Sequence, residues 1–278
     1  MKKCEKTHPV MPLFEGNEAN SRAKLPVAVM DSGVGGLCVL REIRELLPCE
    51  ELLYFGDSAY APYGEREPRE LAAHVLGEAE RLLAQSKALV LACNTATALV
   101  AEELRLRHPD VPIVGMEPAL KPALSVCRKP RVLVLATALT LQEKKFASLL
   151  EKCQKNATVM PLSAPQIVKM VEAGAENSPE MQAYLLELLA PYRAPAPDAV
   201  VLGCTHFPFV KEQILRALGK DVPVFDGVWG TARQLCRLLA EQGLRNPVPA
   251  RGAVRLTSSR SGVLPLYARL LFGGSEEA

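Results

Sequence analysis

The sequence predicts an α/β protein with doubly wound parallel sheets, and two observations lead to that fold class. Short apolar runs alternate with segments of helical periodicity through most of the 278 residues. Several of these runs end abruptly on small or polar residues, as at residues 27–31, 88–93 and 199–204. Because 49% of the residues are hydrophobic, the chain can fill one large core or two medium ones.

The first half of the chain supplies the clearest elements. Residues 1–24 are polar and aperiodic, which predicts a disordered arm. A glycine-rich turn at residues 31–36 leads into a helix whose apolar residues recur at helical spacing until Pro48. We predict strands at 27–30, 52–55, 88–92 and 111–116, and helices at 37–47, 68–85 and 95–107.

The second half continues the same alternation without a break in composition. Its helical patterns mostly follow prolines, which favour the first turn of a helix. We predict strands at 131–136, 158–162, 199–203, 222–225 and 254–256, and helices after Pro118 and at 141–151, 165–173, 179–191, 209–218, 228–242 and up to about 272.

The overall composition excludes several classes of partner. The 33 basic and 31 acidic residues are interspersed and give a net charge of +2, so we expect no nucleic-acid partner. No apolar run reaches the roughly 20 residues that cross a bilayer, and the N-terminus has no secretory apolar region. We therefore expect no membrane association and a cytoplasmic location. The eight cysteines form no C-x-x-C pair, which disfavours a closed zinc site.

Two strand ends carry matching cysteines. AVVLGCTHFP at 199–208 and ALVLACNTAT at 88–97 each end an apolar run on a cysteine flanked by hydrogen-bonding side chains. Open α/β sheets bind their ligands beyond the carboxyl ends of the strands. Cys93 and Cys204 therefore predict a paired site.

Paired thiols suit three kinds of chemistry: two-base proton transfer, disulfide redox or covalent thiol catalysis. Two-base transfer fits best, because one thiolate can remove a proton from carbon while the opposing thiol supplies one to the other face. Lowering a thiol pKa from about 8.5 to about 7 needs about 2 kcal/mol, which a helix N-terminus and one hydrogen bond can provide. His206 either assists the Cys204 thiol or caps the following helix. His74 and His108 lie on helix surfaces or ends, where we expect them to be solvated.

The glycine turn near residue 33 resembles a dinucleotide fingerprint only in part. Gly33, Gly35 and Asp57 have roughly the required spacing, but Cys38 occupies the third glycine position. If a dinucleotide bound here, the Asp31 carboxylate would also face its pyrophosphate, and two negatively charged groups repel each other. We interpret the turn as a carboxylate-binding element, with Asp31 as an acid–base or orienting group.

Several sequence blocks, in their joint order and spacing, resemble the glutamate racemases of the cofactor-independent aspartate/glutamate racemase superfamily. The resemblance extends from about Val27 to Arg233. The blocks are DSGVGGLCVLREI (31–43), YFGDSAYAPYGER (54–66), ACNTATA (92–98), GMEPALKPA (115–123), LGCTHFP (202–208), and FDG with TAR (225–233).

The resemblance implies two pseudo-symmetric α/β domains with the active site in the cleft between them. The first would comprise residues 25–116 and 225–278, and the second residues 117–224. The implied activity is interconversion of L- and D-glutamate without pyridoxal phosphate or metal, supplying D-glutamate for peptidoglycan. We also expect a homodimer.

The same resemblance assigns roles at matching motif positions. Cys93 and Cys204 would be the acid–base thiols, with Asp31 assisting the first, His206 assisting the second, and Glu172 as a further assisting group. The implied substrate-binding residues are Ser32, Pro62, Tyr63, Gly64, Asn94, Thr95, Thr137, Thr140 and Thr205.

Two segments depart from the family pattern. In the block that contains Thr137 and Thr140, Glu143 and Phe146 replace the usual serine and tyrosine. The run before Glu172 reads LSAPQIVKM, without the usual phenylalanine.

Three alternatives stay open from the sequence. The same cysteines could racemise aspartate or another amino acid. The chain could instead be a non-catalytic binding protein on this fold, or a thiol redox protein whose two cysteines form a reversible disulfide.

Overall fold

A computed structural model describes residues 21–142 and 157–273 of the chain. The strands in these residues form two sheets in which every pair is parallel. They are β1 (Val27–Asp31), β2 (Leu52–Gly56), β3 (Ala88–Leu91), β4 (Ile113–Gly115), β5 (Arg131–Ala136), β6 (Thr158–Ser163), β7 (Ala199–Gly203), β8 (Val224–Asp226) and β9 (Val254–Ser258).

Helices separate the strands, and three single-turn 3-10 helices lie at Tyr63–Glu65, Ala190–Tyr192 and Phe207–Val210. The α-helices of the described residues that follow β1 are α1 (Leu37–Leu46), α2 (Pro68–Leu83), α3 (Asn94–Arg107), α4 (Leu120–Ala123), α5 (Ala138–Gln142), α6 (Pro165–Glu172), α7 (Pro179–Leu189), α8 (Lys211–Leu218), α9 (Val228–Glu241) and α10 (Leu264–Phe272).

Each sheet is doubly wound, which confirms the predicted fold class. The first sheet has the strand order β4-β3-β1-β2-β9 and the second the order β6-β5-β7-β8. The strand order therefore reverses between β1 and β3 in one sheet and between β5 and β7 in the other. Ligands of open α/β sheets bind at such switch points, beyond the carboxyl ends of the strands.

The central strands are buried on both faces, as parallel sheets require. The largest core cluster contains side chains from both sheets, including Val29 of β1 and Leu202 of β7. Helix α9 follows the second sheet in the chain but packs against α1 of the first. This packing places α9 with the first sheet.

The predicted elements agree with the structure in type and differ at their ends. The strand predicted at 222–225 begins and ends later, and the helix predicted from Phe209 begins at Lys211 after a 3-10 turn. The helix predicted after Pro118 is the single turn α4. Most of the helix predicted at 141–151 lies outside the described residues.

The chain returns to the first sheet only after β8. This strand spans the predicted domain boundary between residues 224 and 225, and it pairs with β7, so Phe225 and Asp226 belong to the second sheet. Strand β9 then pairs with β2. The division into domains stays a prediction.

The last four residues of the predicted arm have ordered structure. Residues 21–23 are helical, and Ala23 is buried. The Ala23 carbonyl accepts a hydrogen bond from Lys87, a fully buried side chain that is also paired with Glu50. A buried ammonium needs such partners, and the hydrogen bond from Lys87 holds the segment around Ala23 against the first sheet. Residues 1–20 lie outside the described residues.

Across the two described ranges, every helix is too short or too polar to span a membrane.

Candidate active site

The two matched cysteines lie at the two switch points. Cys93 comes two residues after β3 and occupies the N-cap position of α3, while Cys204 directly follows β7. Each cysteine is 7% exposed. Both line one cavity between the carboxyl edges of the sheets, so the pairing expected from the sequence is realised in space.

The wall of this cavity is largely polar. It contains every predicted substrate-binding residue, together with Cys93, Cys204 and His206, whereas Asp31 and Glu172 lie behind it. The described lining residues are Ser32, Pro62, Tyr63, Gly64, Cys93, Asn94, Thr95, Thr137, Thr140, Val168, Gly203, Cys204, Thr205 and His206.

The Cys93 thiol is buried beside hydrogen-bond donors. Burial raises the pKa of Cys93 to about 12, and the nearby Asp31 carboxylate adds to that increase. Hydrogen bonds from the Ala96 backbone and the Ser32 hydroxyl act in the opposite direction, since they stabilise a thiolate. Burial therefore keeps the Cys93 thiol protonated near neutral pH.

A chain of side chains supports Cys204. The Nδ1 atom of His206 lies 3.6 Å from the Cys204 sulfur. On the other edge of the ring, Nε2 lies 2.6 Å from Oε1 of Glu172. This arrangement orients the imidazole towards the thiol, as a carboxylate does in a nucleophile–base–orienter triad.

Glu172 joins the second sheet's helices to the first sheet's loops. The backbone N–H of Val34 donates to its Oε1 at 2.8 Å, and the Ser58 hydroxyl donates to its Oε2 at 3.0 Å. A side chain at Gly33 would place its Cβ 1.9 Å from Oε1. The glycine is required because the carboxylate approaches the turn so closely.

His206 and Glu172 form an ion pair. Burial acts to lower the pKa of His206, but its hydrogen bonds to Cys204 and Glu172 outweigh burial and raise the pKa well above its usual range. Burial likewise opposes ionisation of Glu172, yet the hydrogen bond and charge of His206 lower the pKa of this carboxyl overall. The pair is therefore charged near neutral pH.

Asp31 is fully buried behind the cavity wall and contacts both halves of the site. Its Oδ2 accepts the Gly33 N–H at 3.0 Å, and its Oδ1 accepts the Thr205 hydroxyl at 3.1 Å. Burial raises its pKa, although the charge of His206 counteracts part of this effect. At Gly35 an added Cβ would lie 2.3 Å from the Thr205 hydroxyl, so the turn packs directly against the residues after Cys204.

Three threonines that line the cavity form a cluster of hydroxyl groups. The Thr137 hydroxyl donates to Thr140 at 2.9 Å, and Thr95 of α3 lies 3.3 Å and 3.4 Å from these two hydroxyls. Thr95 follows a strand of the first sheet, whereas Thr137 and Thr140 follow β5 of the second. The hydroxyl cluster therefore bridges the two switch points.

The Asn94 side chain has unused hydrogen-bonding capacity. It is 5% exposed, it lines the cavity, and neither its amide nitrogen nor its carbonyl oxygen has a partner among the described residues. Buried polar groups are normally satisfied, and an orphan at a cavity wall indicates a missing polar ligand. Within the described ranges, no group of three or more His, Cys, Asp or Glu side chains has the arrangement of a metal site.

The loop that carries Tyr63 is held by a carboxylate behind it. The Tyr63 hydroxyl donates to Oδ2 of Asp57 at 2.7 Å, and Nε2 of His74 lies 2.6 Å from the same atom. The expectation of a solvated His74 is thus wrong, because Asp57 is buried and needs both partners. His108, also expected to be solvated, pairs with Glu80 at 2.8 Å.

Four residues that shape the site are absent from the sequence predictions. Val168 and Gly203 line the cavity, and Ser58 and Tyr267 lie behind Glu172. Ser58 lies in the block at 54–66 that resembles the family, so the sequence could have identified it. Tyr267 lies in an amphipathic helix without such a block. The replaced positions Glu143 and Phe146 lie outside the described residues.

With this geometry in place, comparison with known proteins identifies the family. Residues 37–235 match the Asp/Glu/Hydantoin racemase family, and the chain belongs to it. Within the family it is similar to the glutamate racemase of Ectopseudomonas mendocina, with 46% identity over 252 residues that cover 88% of this chain and 95% of that protein. The glutamate racemase of Clostridium perfringens is 41% identical over 235 residues, covering 84% and 90%.

Solved structures give the same family assignment. Escherichia coli glutamate racemase, crystallised with L-glutamate and the activator UDP-MurNAc-Ala, superposes with a TM-score of 0.77 at 29% identity, covering 90% of this chain and 95% of that one. The Francisella tularensis enzyme in complex with D-glutamate also gives 0.77, at 26% identity and 90% and 94% coverage. The two-domain racemase fold is therefore shared over nearly the whole chain.

The His206–Glu172 pair predicts a pH-dependent contribution to stability. Because the pKa of His206 is raised, its contribution to the free energy of unfolding is fully present below about pH 6.5. That contribution is lost as the pH rises through the raised pKa. Because the pKa of Glu172 is lowered, its contribution to the free energy of unfolding is fully present above about pH 4.3. That contribution is lost as the pH falls through the lowered pKa. We therefore expect Glu172→Gln to lower the free energy of unfolding, measured in urea, by about 1–2 kcal/mol more at about pH 5.5 than at about pH 9.

Glu176→Gln is the matched control for this measurement. Glu176 is a buried carboxylate paired with Arg269, whose guanidinium stays charged throughout this range. Glu176→Gln should therefore lower the free energy of unfolding by the same amount at both pH values. An equal cost of Glu172→Gln at the two pH values would contradict a charged His206–Glu172 pair.

Proposed function

We propose that this protein interconverts L- and D-glutamate by moving the Cα proton between Cys93 and Cys204. The observation that carries the proposal is the position of the two thiols, which face one polar cavity from opposite switch points. The family membership and the glutamate racemases at 41–46% identity support the choice of reaction and substrate.

The reaction consists of two proton transfers on opposite faces of Cα. One cysteine, as thiolate, removes the proton: the Cα–H bond breaks, an S–H bond forms, and the electron pair delocalises into the α-carboxylate. The other cysteine, as thiol, then donates its proton to the opposite face of Cα. The product has inverted configuration, and the two sulfurs have exchanged protonation states.

The surroundings of the two thiols suit these opposite roles. Burial keeps Cys93 protonated, and the cationic His206 beside Cys204 can stabilise a thiolate there. Cys93 can act as a base only if its pKa is lowered, and each pKa unit requires about 1.4 kcal/mol of additional stabilisation of the thiolate. The ammonium group of the substrate, bound near Asp31, would provide it by offsetting the carboxylate charge that opposes a Cys93 thiolate.

Neutral donors would bind the substrate's carboxylates. None of the described residues that line the cavity is Arg or Lys. The unpartnered Asn94 amide, the three threonine hydroxyls and the first backbone N–H groups of α3 are the available donors. Such dispersed donors can accept either enantiomer, because they do not fix a carboxylate through one bidentate cation.

Substrate binding requires the cavity to widen. It encloses about 20 Å³, which is room for about one water molecule. The hydrogen bonds between the two halves, from Thr205 to Asp31 and from Val34 to Glu172, join the walls that must separate.

We further propose the cellular role and setting that this activity implies. D-Glutamate formed by the protein would supply peptidoglycan synthesis, and the reaction needs no pyridoxal phosphate or metal when two thiols perform it. A cytoplasmic location and a homodimer stay predictions. Light scattering during gel filtration measures the oligomeric state directly.

Incubation with L-glutamate in D₂O tests the reaction. We expect D-glutamate with deuterium at Cα, while the L-glutamate recovered early keeps its protium, because the donating thiol carries a solvent deuteron and the other thiol does not return one. Chiral chromatography with mass spectrometry measures both. A parallel incubation with aspartate distinguishes the main alternative, and failure to form deuterated D-glutamate would contradict the proposal.

Removal of either thiol tests the two-base assignment. Cys93→Ala and Cys204→Ala should each lower kcat by at least about 10²-fold, because each variant lacks the acid or base for one face. Cys127→Ala, a change at an exposed cysteine, should leave kcat unchanged. Activity near the wild-type level in either active-site variant would dismiss the assignment.

A further inference from the structure

The C-terminal helix contributes a buried hydroxyl to the region behind the active site. Tyr267 of α10 is fully buried, and its hydroxyl lies 2.9 Å from Ser58 Oγ, 3.1 Å from Ser258 Oγ and 3.1 Å from the Gly56 carbonyl. The ring packs edge-on against Tyr54, with 5.6 Å between the ring centroids. This packing leaves the hydroxyl little freedom to turn elsewhere.

The available protons determine the direction of these hydrogen bonds. A carboxylate only accepts, so the single proton of Ser58 is donated to Glu172. Ser258 donates its proton to the Gly56 carbonyl at 2.8 Å. The contact between Ser58 and Tyr267 can therefore be a hydrogen bond only through the tyrosine proton. The Gly56 carbonyl and Ser258 Oγ compete for that proton, but at the longer distance of 3.1 Å.

The result is a continuous chain of hydrogen bonds from α10 to one of the two thiols. It passes from Tyr267 to Ser58, then to Glu172, His206 and Cys204, with successive distances of 2.9, 3.0, 2.6 and 3.6 Å. In the described part of the protein, the Cys93 sulfur accepts hydrogen bonds from Ala96 and Ser32, and neither residue belongs to this chain of hydrogen bonds.

We propose that Tyr267 and Ser58 are positioning residues for the Cys204 half of the reaction, an inference that rests on the proposed function. Together they hold Oε2 of Glu172, so that Oε1 keeps the His206 ring aimed at the Cys204 sulfur. Without the tyrosine proton, the Ser58 hydroxyl loses the donor that polarises it and holds it towards Glu172. The proton transfer at Cys204 then slows, while the transfer at Cys93 keeps its own donors.

Primary isotope effects separate the two halves of the reaction. The kcat/KM for L-glutamate and for D-glutamate, each with protium or deuterium at Cα, is measured by circular dichroism for wild type and Tyr267→Phe. We expect kcat/KM of the variant to fall about 10-fold in both directions, since the equilibrium constant of a racemisation is unity. The isotope effect should rise with the enantiomer that Cys204 deprotonates and decrease with the other.

This divergence distinguishes positioning from a general loss of stability. Tyr192→Phe removes a hydroxyl from a half-buried tyrosine outside the chain of hydrogen bonds and should leave both isotope effects at wild-type values. Isotope effects of Tyr267→Phe that stay at wild-type values, or that change in the same direction with both enantiomers, would overturn the proposal.

A double variant provides a second, independent measurement. Because Tyr267 acts through Ser58, adding Tyr267→Phe to Ser58→Ala should change kcat by less than about 2-fold. Independent, multiplying losses would overturn the proposal. A wild-type protein that leaves glutamate unchanged would contradict the proposed function itself, whereas an active wild type with additive variants contradicts only the role of Tyr267.

Discussion

The Glu172 carboxylate is the group on which the rest of the site depends. It lies at the end of α6, accepts the Val34 N–H and the Ser58 hydroxyl from the first sheet's loops, and pairs with His206 beside Cys204. A buried carboxylate is tolerated only when such donors replace water. The requirement explains why glycine stands at position 33, and it couples the relative position of the two sheets to the orientation of the imidazole.

The two halves of the site are symmetric in topology and different in chemistry. Each thiol follows a strand that flanks a switch point, yet Cys93 is served by Ser32 and Ala96 and Cys204 by His206. Two-base transfer needs this difference, because one sulfur must hold a proton while the other lacks it. The repeated fold places one thiol at each switch point, and the local side chains give the two thiols different hydrogen-bonding partners.

The sequence was sufficient to predict the doubly wound fold and the pairing of Cys93 with Cys204, since apolar runs and their abrupt ends follow from burial in parallel sheets. It also named every polar residue that lines the cavity. It could not place Tyr267, because a buried tyrosine on an amphipathic helix has the same pattern whether it packs or donates a hydrogen bond. His74 was misjudged for a related reason: its partner Asp57 lies on another element, and only the tertiary fold brings the two together.

Racemisation in this cavity requires both cysteine sulfurs to reach the substrate Cα, one from each face. A crystal structure of the protein with L-glutamate bound tests it most directly. We expect Cα to lie between the Cys93 and Cys204 sulfurs, with the carboxylates on Asn94 and the threonine hydroxyls. A substrate Cα out of reach of either sulfur, or a glutamate bound outside this cavity, would contradict the account.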